Sequence, residues 1–343
     1  MSATTTSAPH AASISSLHND IIESHIMTRL DGQTLASISC ANTTLNSMLE
    51  TNQRLWLDVC HSTWPSTTNE LVSEIISTFS SDGYGPRVFF SESFPLASPD
   101  PTTSTSSSIS SSHHNKAATW MPSRLISAVD VYYQNNLIFT KIEETETISS
   151  WFQCSPFRID LLDPKDVVPT EIPHPDAEHT CTTLFNNMTL SWILIDPISK
   201  HAVNLSSHKP VSVQRHWLSG EVQIRFASVL VGGAHELVRC VIVVNCGKSE
   251  GGEMQVRELS LEIEDMDGKH LHGKDSLEIL QRVMEGKRGN GVKREKEARK
   301  RCKKFEEMKI ERKERKLRVE GTLDTLSVIF GLSVFASLFF IFC

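Results

Sequence analysis

Apolar residues recur at helical spacing in short bursts between residues 17 and 60. Ile22, Ile26 and Leu30 can line one face of a first helix, which an Asp-Gly step then interrupts. Asp20, with a glutamate three residues later, is the predicted N-cap of this helix. The later bursts contain Leu35 and Ile38, then Leu45, Met48 and Leu49, and finally Leu55, Trp56, Leu57 and Cys60. Helices this short are marginal alone in water, so their apolar faces need a partner surface.

The central part of the chain, residues 120–286, has the patterning of β-strands. "AVDVYYQNNLIFTKI" places two β-prone runs around a Gln-Asn-Asn turn and predicts a hairpin. Residues 237–246 are an almost continuous valine-rich run, typical of a buried strand, and residues 259–264 alternate strictly. Residues 275–286 predict a closing helix with Asp275 or Ser276 as its cap. The pattern indicates a β-rich, sandwich-like domain.

Two tryptophans stand in this strand-like part of the sequence. For both Trp192 and Trp217, packing in the core is the default interpretation of a large aromatic side chain.

The C-terminal part changes from highly charged to apolar. Residues 292–320 favour a long helix with little apolar face, which predicts a helix surrounded by solvent. Residues 325–343 contain no charge, and a helix of that length spans about 28 Å, close to a hydrocarbon core of about 30 Å. We therefore expect a transmembrane tail anchor at residues 322–343, with the body facing the cytosol. The alternative interpretation of this segment is a buried core helix. The alternative location is that of a nuclear or cytosolic soluble protein.

The net charge of −7 hides an asymmetry. Residues 287–320 carry 16 Lys/Arg against 7 Glu, a local charge of +9, while the rest of the chain carries −16. This split predicts that the tail meets an anionic partner. Membrane headgroups are the expected partner of a membrane-proximal basic set, which comprises Arg312, Lys313, Arg315, Lys316 and Arg318. Nucleic acid is the alternative, but interleaved glutamates and scarce aromatics argue against it, and we expect none.

Sequence motifs for chemistry are missing from the chain. It has no nucleophile elbow, Walker loop, dinucleotide-binding glycine fingerprint or His-Glu-x-x-His pair. The spacing in "HPDAEHTC" matches no zinc pattern, and the eight cysteines include no Cys-x-x-Cys pair. We therefore expect no catalytic residue, no metal, no cofactor and no enzymatic activity.

The order of residues from Leu17 to Cys60 resembles an F-box. That pattern has an apolar start before a polar pair, an Ile–Leu–Leu-Asp–Leu rhythm, and a Leu-Trp step before a Cys, here at Leu55-Trp56. His18 departs from it, because the family usually has proline there. "WFQCSPFRIDLLDPKD" and "SWILIDP" are similar to segments of a plant family of F-box proteins with a β-rich C-terminal region. The likeness covers most of residues 14–285.

This resemblance implies the substrate-recognition subunit of an SCF-type ubiquitin ligase. In such receptors the F-box binds a Skp-family adaptor and, through it, a cullin, while the C-terminal domain presents a protein substrate that this sequence does not identify. The residues that the resemblance assigns to adaptor binding are Leu17, Ile21, Ile22, Ile26, Leu30, Leu35, Ile38, Leu45, Leu55, Trp56 and Leu57. The alternative is a membrane-anchored scaffold that takes no part in ubiquitination.

The expected fold class is therefore an α+β multidomain protein. It would combine a small helical F-box, a β-rich sandwich-like domain, a basic helix and a C-terminal transmembrane helix. The expected organisation is a disordered start (1–13), the F-box (14–65), a helical connector (66–96), a Ser-rich linker (97–119), the β-rich recognition domain (120–286), the basic helix (287–321) and the tail anchor (322–343).

Overall fold

The computed structural model describes residues 18–81, 83–95, 122–175, 178–233, 236–286, 288 and 294–342. The segments predicted as a disordered start and as a Ser-rich linker lie outside these residues. The described residues form four layers, which are a group of short helices, a first β-sheet, a second β-sheet and a long helix.

The helical layer is made of short elements. They are α1 (Asn19–Ile21), a π-helical turn (Ile22–Ile26), a 3-10 turn (Met27–Arg29), α2 (Gly32–Ala41), α3 (Thr43–Thr51), α4 (Gln53–Thr63), a second 3-10 turn (Pro65–Thr68), α5 (Glu70–Ser77) and α6 (Gly85–Ser93). Their buried side chains form one cluster with the outer face of the first sheet, where Ile126, Ala128 and Ile193 lie. The helices and the sheet thus share a core.

The strands pair into two antiparallel sheets. The strands are β1 (Arg124–Tyr133), β2 (Asn136–Glu146), β3 (Arg158–Asp160), β4 (Val168–Pro173), β5 (Met188–Asp196), β6 (His201–Asn204), β7 (Ser212–Arg215), β8 (Val222–Val231), β9 (Leu237–Lys248) and β10 (Glu253–Glu264). Among the described residues, the first sheet has the order β2-β1-β5-β6. The second has the order β3-β10-β9-β8-β7, with β4 also paired to β10.

The predicted hairpin and the predicted alternation are both confirmed. Gln134 and Asn135 join β1 to β2 with positive φ angles of 51° and 66°, as a two-residue type I′ turn requires. Leu259, Leu261 and Ile263 of β10 all point into the core between the two sheets. The period-2 pattern therefore identified the buried face of this strand correctly.

Three further helices lie around the sheets. They are α7 (Ser150–Cys154), α8 (Glu178–Asn187) and α9 (Gly273–Glu285). The helix α9 places Leu277, Leu280 and Met284 in the core between the sheets, as expected of a closing helix. Its predicted cap is wrong, because the N-cap is His272 and the helix already includes residues 275 and 276.

The prediction of a solvated basic helix is wrong for its first half. The helix α10 (Arg294–Phe342) lies against the outer face of the second sheet, and buries Ala298, Cys302 and Phe305 there. These residues follow the i, i+4, i+7 spacing of one helical face. Most of the charged residues of this segment lie around the buried stripe and remain on the surface.

The predicted transmembrane anchor at residues 322–343 is also wrong, and so is the single-pass topology that followed from it. In the part of the chain that the structure describes, no helix is both long and apolar enough to cross a membrane.

Gly32 lies where α2 packs closely against α6. A Cβ atom there would lie 2.2 Å from Cζ of Phe90, so the ring would have to move. We expect Gly32→Ala to lower the free energy of unfolding by about 1–3 kcal/mol through overpacking, measured by urea denaturation. Gly321→Ala is the control, because nothing lies within 4 Å there and alanine favours a helix. Equal stability changes in the two variants would contradict this close contact.

Candidate functional site

Side-chain caps hold the short N-terminal helices in place. Asp31 Oδ1 accepts a hydrogen bond from Thr34 N (2.7 Å) at the start of α2. Asn42 and Asn52 cap α3 and α4 in the same way. His18 is the N-cap of α1, two residues before the position predicted, and its Nδ1 accepts from the N–H of residue 20. Each cap satisfies backbone donors that a short helix leaves unpaired.

Four of the residues proposed for adaptor binding are buried inside the helical layer, namely Ile22, Leu35, Leu55 and Trp56. The Trp56 ring packs 5.6 Å from the Phe90 ring of α6, and its Nε1 donates to the Leu49 carbonyl (3.0 Å). These side chains hold the helices to each other and to α6, so they are not available to a partner.

A second subset is more open to solvent. Ile21 of α1 is 45% exposed. Ile26, Leu30, Ile38 and Leu45 are half-buried, and all four pack at the edge of the same cluster. We call these five residues the outer apolar surface.

Two of the predicted positions remain. Leu57 of α4 is half-buried against the same cluster, and Leu17 lies outside the described residues.

Buried polar contacts fix the helical layer on the first sheet. Asp130 of β1 accepts hydrogen bonds from Ser66 N (2.8 Å) and Ser66 Oγ (2.6 Å) in the second 3-10 turn, and from Thr140 Oγ1 (2.8 Å) of β2. Burial raises the pKa of Asp130, and the hydrogen bonds oppose that rise. Because this carboxyl is fully buried, the bonds give the two layers one defined orientation.

A second polar contact joins α6 to β6, an edge strand of the first sheet. Glu92 accepts from Ala202 N (2.8 Å) and contacts His201 Nδ1 (3.2 Å). The hydrogen bond to Glu92 raises the pKa of His201. Arg288 donates to the Glu92 carbonyl (2.9 Å) and to the Ala202 carbonyl (2.7 Å). We call the two sheets with α7, α8 and α9 the β body. The helical layer and the β body are therefore joined at two separated points.

Most of the predicted membrane-proximal cations have carboxylate partners on the protein itself. Arg312 and Lys316 both pair with Asp267, at 3.1 Å and 2.7 Å, and the pKa of Asp267 is lowered, first by the Lys316 hydrogen bond. Arg315 and Arg318 pair with glutamates four residues earlier, and Lys313 is exposed. Their assignment to membrane headgroups depended on the predicted anchor.

Trp217 was predicted in the core, and that prediction is wrong. It is 86% exposed, with Leu218 beside it, in the connection between β7 and β8, whereas Trp192 is fully buried as expected. The signal that sequence reasoning passed over is the Ser-Gly step that follows, where Gly220 has φ +72°. The exposed pair is a further apolar feature of the β body.

The described residues contain no group of three or more His, Cys, Asp or Glu side chains placed to hold a metal ion. Seven cysteines in this part of the chain are free thiols.

Three curated proteins of Arabidopsis thaliana are similar to this chain over most of its length. The probable F-box protein At2g36090 is 48% identical over 332 residues, which is 96% of this chain and 93% of the relative. The F-box protein At2g27310 is 42% identical over 340 residues (95% of each), and the F-box protein At3g44326 is 43% identical over 286 residues (80% of this chain, 75% of the relative). No family model and no solved structure matches the chain. The similarity to these relatives shows that the chain belongs to the family of plant F-box proteins.

Proposed function

We propose that this protein is the substrate-recognition subunit of an SCF-type ubiquitin ligase. Its helical layer binds a Skp-family adaptor, which links it to a cullin, and its β body presents a protein substrate. The receptor itself performs no bond chemistry in this assembly. The relatives' names support the class of protein, and the outer apolar surface supports the place of binding.

The observation that carries the proposal is the two-sided character of the helical layer. Its inner face packs against the first sheet, in a cluster that includes Phe90 of α6. Its outer side still presents Ile21 and the four half-buried residues of the outer apolar surface. A helix-against-helix interface needs apolar anchors of this kind. Ile22, Leu35, Leu55 and Trp56 contribute by holding these anchors in position.

A scaffold role outside ubiquitination is the second candidate. The packing of the helical layer supports it, because this layer shares a core with the β body and so already has one partner within the chain. The outer apolar surface distinguishes the two candidates, since a scaffold that only packs on itself makes no use of it.

We expect the full chain to bind a purified Skp-family adaptor in a pull-down and by calorimetry. Ile21→Asp should weaken binding at least tenfold, because it places a charge within an apolar interface while leaving the buried face unchanged. The matched control is Ile148→Asp, because Ile148 is a 61% exposed isoleucine on the β body. This control should bind like the wild type.

Failure of the wild-type chain to bind any Skp-family adaptor would remove the proposed function and leave the scaffold. Binding that Ile148→Asp weakens as much as Ile21→Asp would remove the outer apolar surface as the contact. Circular dichroism of both variants shows whether either substitution has changed the fold.

A further inference from the structure

A cavity lies between the outer face of the second sheet and the helix α10. Its volume is about 580 Å³, within the range of sites for small ligands. It is open to solvent on the side where Gln214 and Lys303 are exposed. The lining residues that matter for its chemistry are Arg225, Arg239, Arg299, Lys303, Glu306 and Phe185.

The lining of this cavity has an excess of positive charge. Arg239 is neutralised, because it pairs with Glu264 and with Glu306, and Glu306 is the one carboxylate among the described residues of the lining. Lys303 is paired weakly with Glu307 at 4.0 Å. Within the described residues, no carboxylate pairs with Arg225 or Arg299. Two guanidinium groups in the cavity are therefore without a counter-charge.

Arg299 is held in a fixed position by neutral groups. Its guanidinium carbon lies 4.1 Å from the centroid of the Phe185 ring. Its nitrogens donate to the carbonyls of Pro210 (3.1 Å) and Phe185 (3.4 Å). Stacking and carbonyl contacts orient the side chain but leave its charge uncompensated. Such a pre-oriented cation is suited to an anion from outside the protein.

Arg225 has one buried donor that no described residue satisfies. It extends from the outer face of β8, since its neighbours Ile224 and Phe226 point into the core between the sheets. Its Nε is buried and has no hydrogen-bond partner among the described residues. A buried charged donor without a partner is costly, so an acceptor in the cavity would stabilise this arrangement.

We propose that this cavity is a binding site for a phosphate group. Guanidinium groups match the oxygens of a phosphate in charge and in planar geometry, and Arg225 and Arg299 supply two of them. Ser212 and Gln214 of β7 line the same cavity and add neutral hydrogen-bonding groups. The phosphate group arrives either on a side chain of a partner protein or as a free anion. This site lies on the opposite side of the β body from the outer apolar surface, and it does not depend on adaptor binding.

The test follows the Nε–Hε resonance of Arg225 in the full chain, labelled with ¹⁵N-arginine and assigned as the peak lost in Arg225→Gln. We expect a saturable shift with inorganic phosphate and none with sodium chloride at the same ionic strength. By calorimetry, Arg225→Gln should weaken phosphate binding about tenfold or more, since hydrogen bonds to charged groups are strong. The control Arg124→Gln removes an exposed arginine of the first sheet and should bind as the wild type does.

A second titration identifies the source of the group. Tighter binding of a phosphoserine peptide than of inorganic phosphate supports a group carried by a protein, and equal or weaker binding supports a free anion. The proposal is overturned if phosphate gives no saturable shift, if chloride gives the same shift, or if Arg124→Gln weakens binding as much as Arg225→Gln. None of these readouts involves the Skp-family adaptor.

Discussion

Replacing Trp56 by alanine should destabilise the helical layer rather than alter a contact surface. The side chain is only 1% exposed, packs on the Phe90 ring, and donates its Nε1–H to the Leu49 carbonyl. Large-to-small changes of a buried tryptophan remove about 3–5 kcal/mol, which is a large part of the stability of an ordinary domain. We expect that loss in urea denaturation followed by circular dichroism.

Trp217→Ala is the matched control, because it removes the same side chain from an exposed position. Exposed substitutions of this kind usually change the free energy of unfolding by about 0.5 kcal/mol or less. Equal losses of stability in the two variants would contradict the burial of Trp56.

The burial of Trp56 has a consequence for tests of adaptor binding. A variant of Leu55 and Trp56 would lose binding through loss of the fold, whether or not either residue touches the adaptor. Substitutions at Ile21 separate the two causes, because that side chain is substantially exposed. The same reasoning excludes Ile22 and Leu35 as tests of contact.

The β body was predictable to the extent that its strands are amphipathic. Strict alternation identified the core face of β10 at Leu259, Leu261 and Ile263. The Gln134-Asn135 turn followed from turn chemistry. Such signals are local, because a period of two and a tight turn are properties of a few adjacent residues. The pairing of β10 with β3 and β4, 80 or more residues earlier in the chain, is not local, and no pattern predicted it.

The long C-terminal helix shows where local patterns were insufficient. Ala298, Cys302 and Phe305 form a narrow apolar stripe, but the charges around it dominate the composition of the segment. Whether such a stripe is buried depends on a complementary surface, which here is the outer face of β8 with Ala227 and Val229. A single segment carries no information about that surface.

The candidate adaptor site was predictable as a set of residues but not as a surface. The order from residue 17 to residue 60 identified the family, which the relatives confirm. It did not separate buried Leu35 from exposed Ile21, because both occupy apolar positions of short helices. That separation is made by α6, whose Phe90 covers one side of the layer. The helix α6 lies outside the motif, so the motif alone could not supply it.

Replacing Asp130 by alanine should weaken the attachment of the helical layer to the first sheet. The substitution removes the acceptor for Ser66 N, Ser66 Oγ and Thr140 Oγ1, and leaves the two Ser66 donors buried without a partner. Unpaired buried donors cost about 1–3 kcal/mol each, with partial relaxation, so we expect a loss of roughly 3 kcal/mol in the free energy of unfolding. The control Asp58→Ala removes an exposed aspartate of α4 and should change little.

The pH dependence of the same contact gives an independent measurement. Burial raises the pKa of Asp130, so the folded chain retains this proton to a higher pH than the unfolded chain does. Asp130→Asn cannot titrate at this position. The stability of the wild type relative to Asp130→Asn should therefore be greatest at low pH. It should fall as the pH rises from about 4, the ordinary value for aspartate, through the raised value. A relative stability that increased over this range would show that the ionised carboxyl, rather than the protonated one, is the form favoured by the fold.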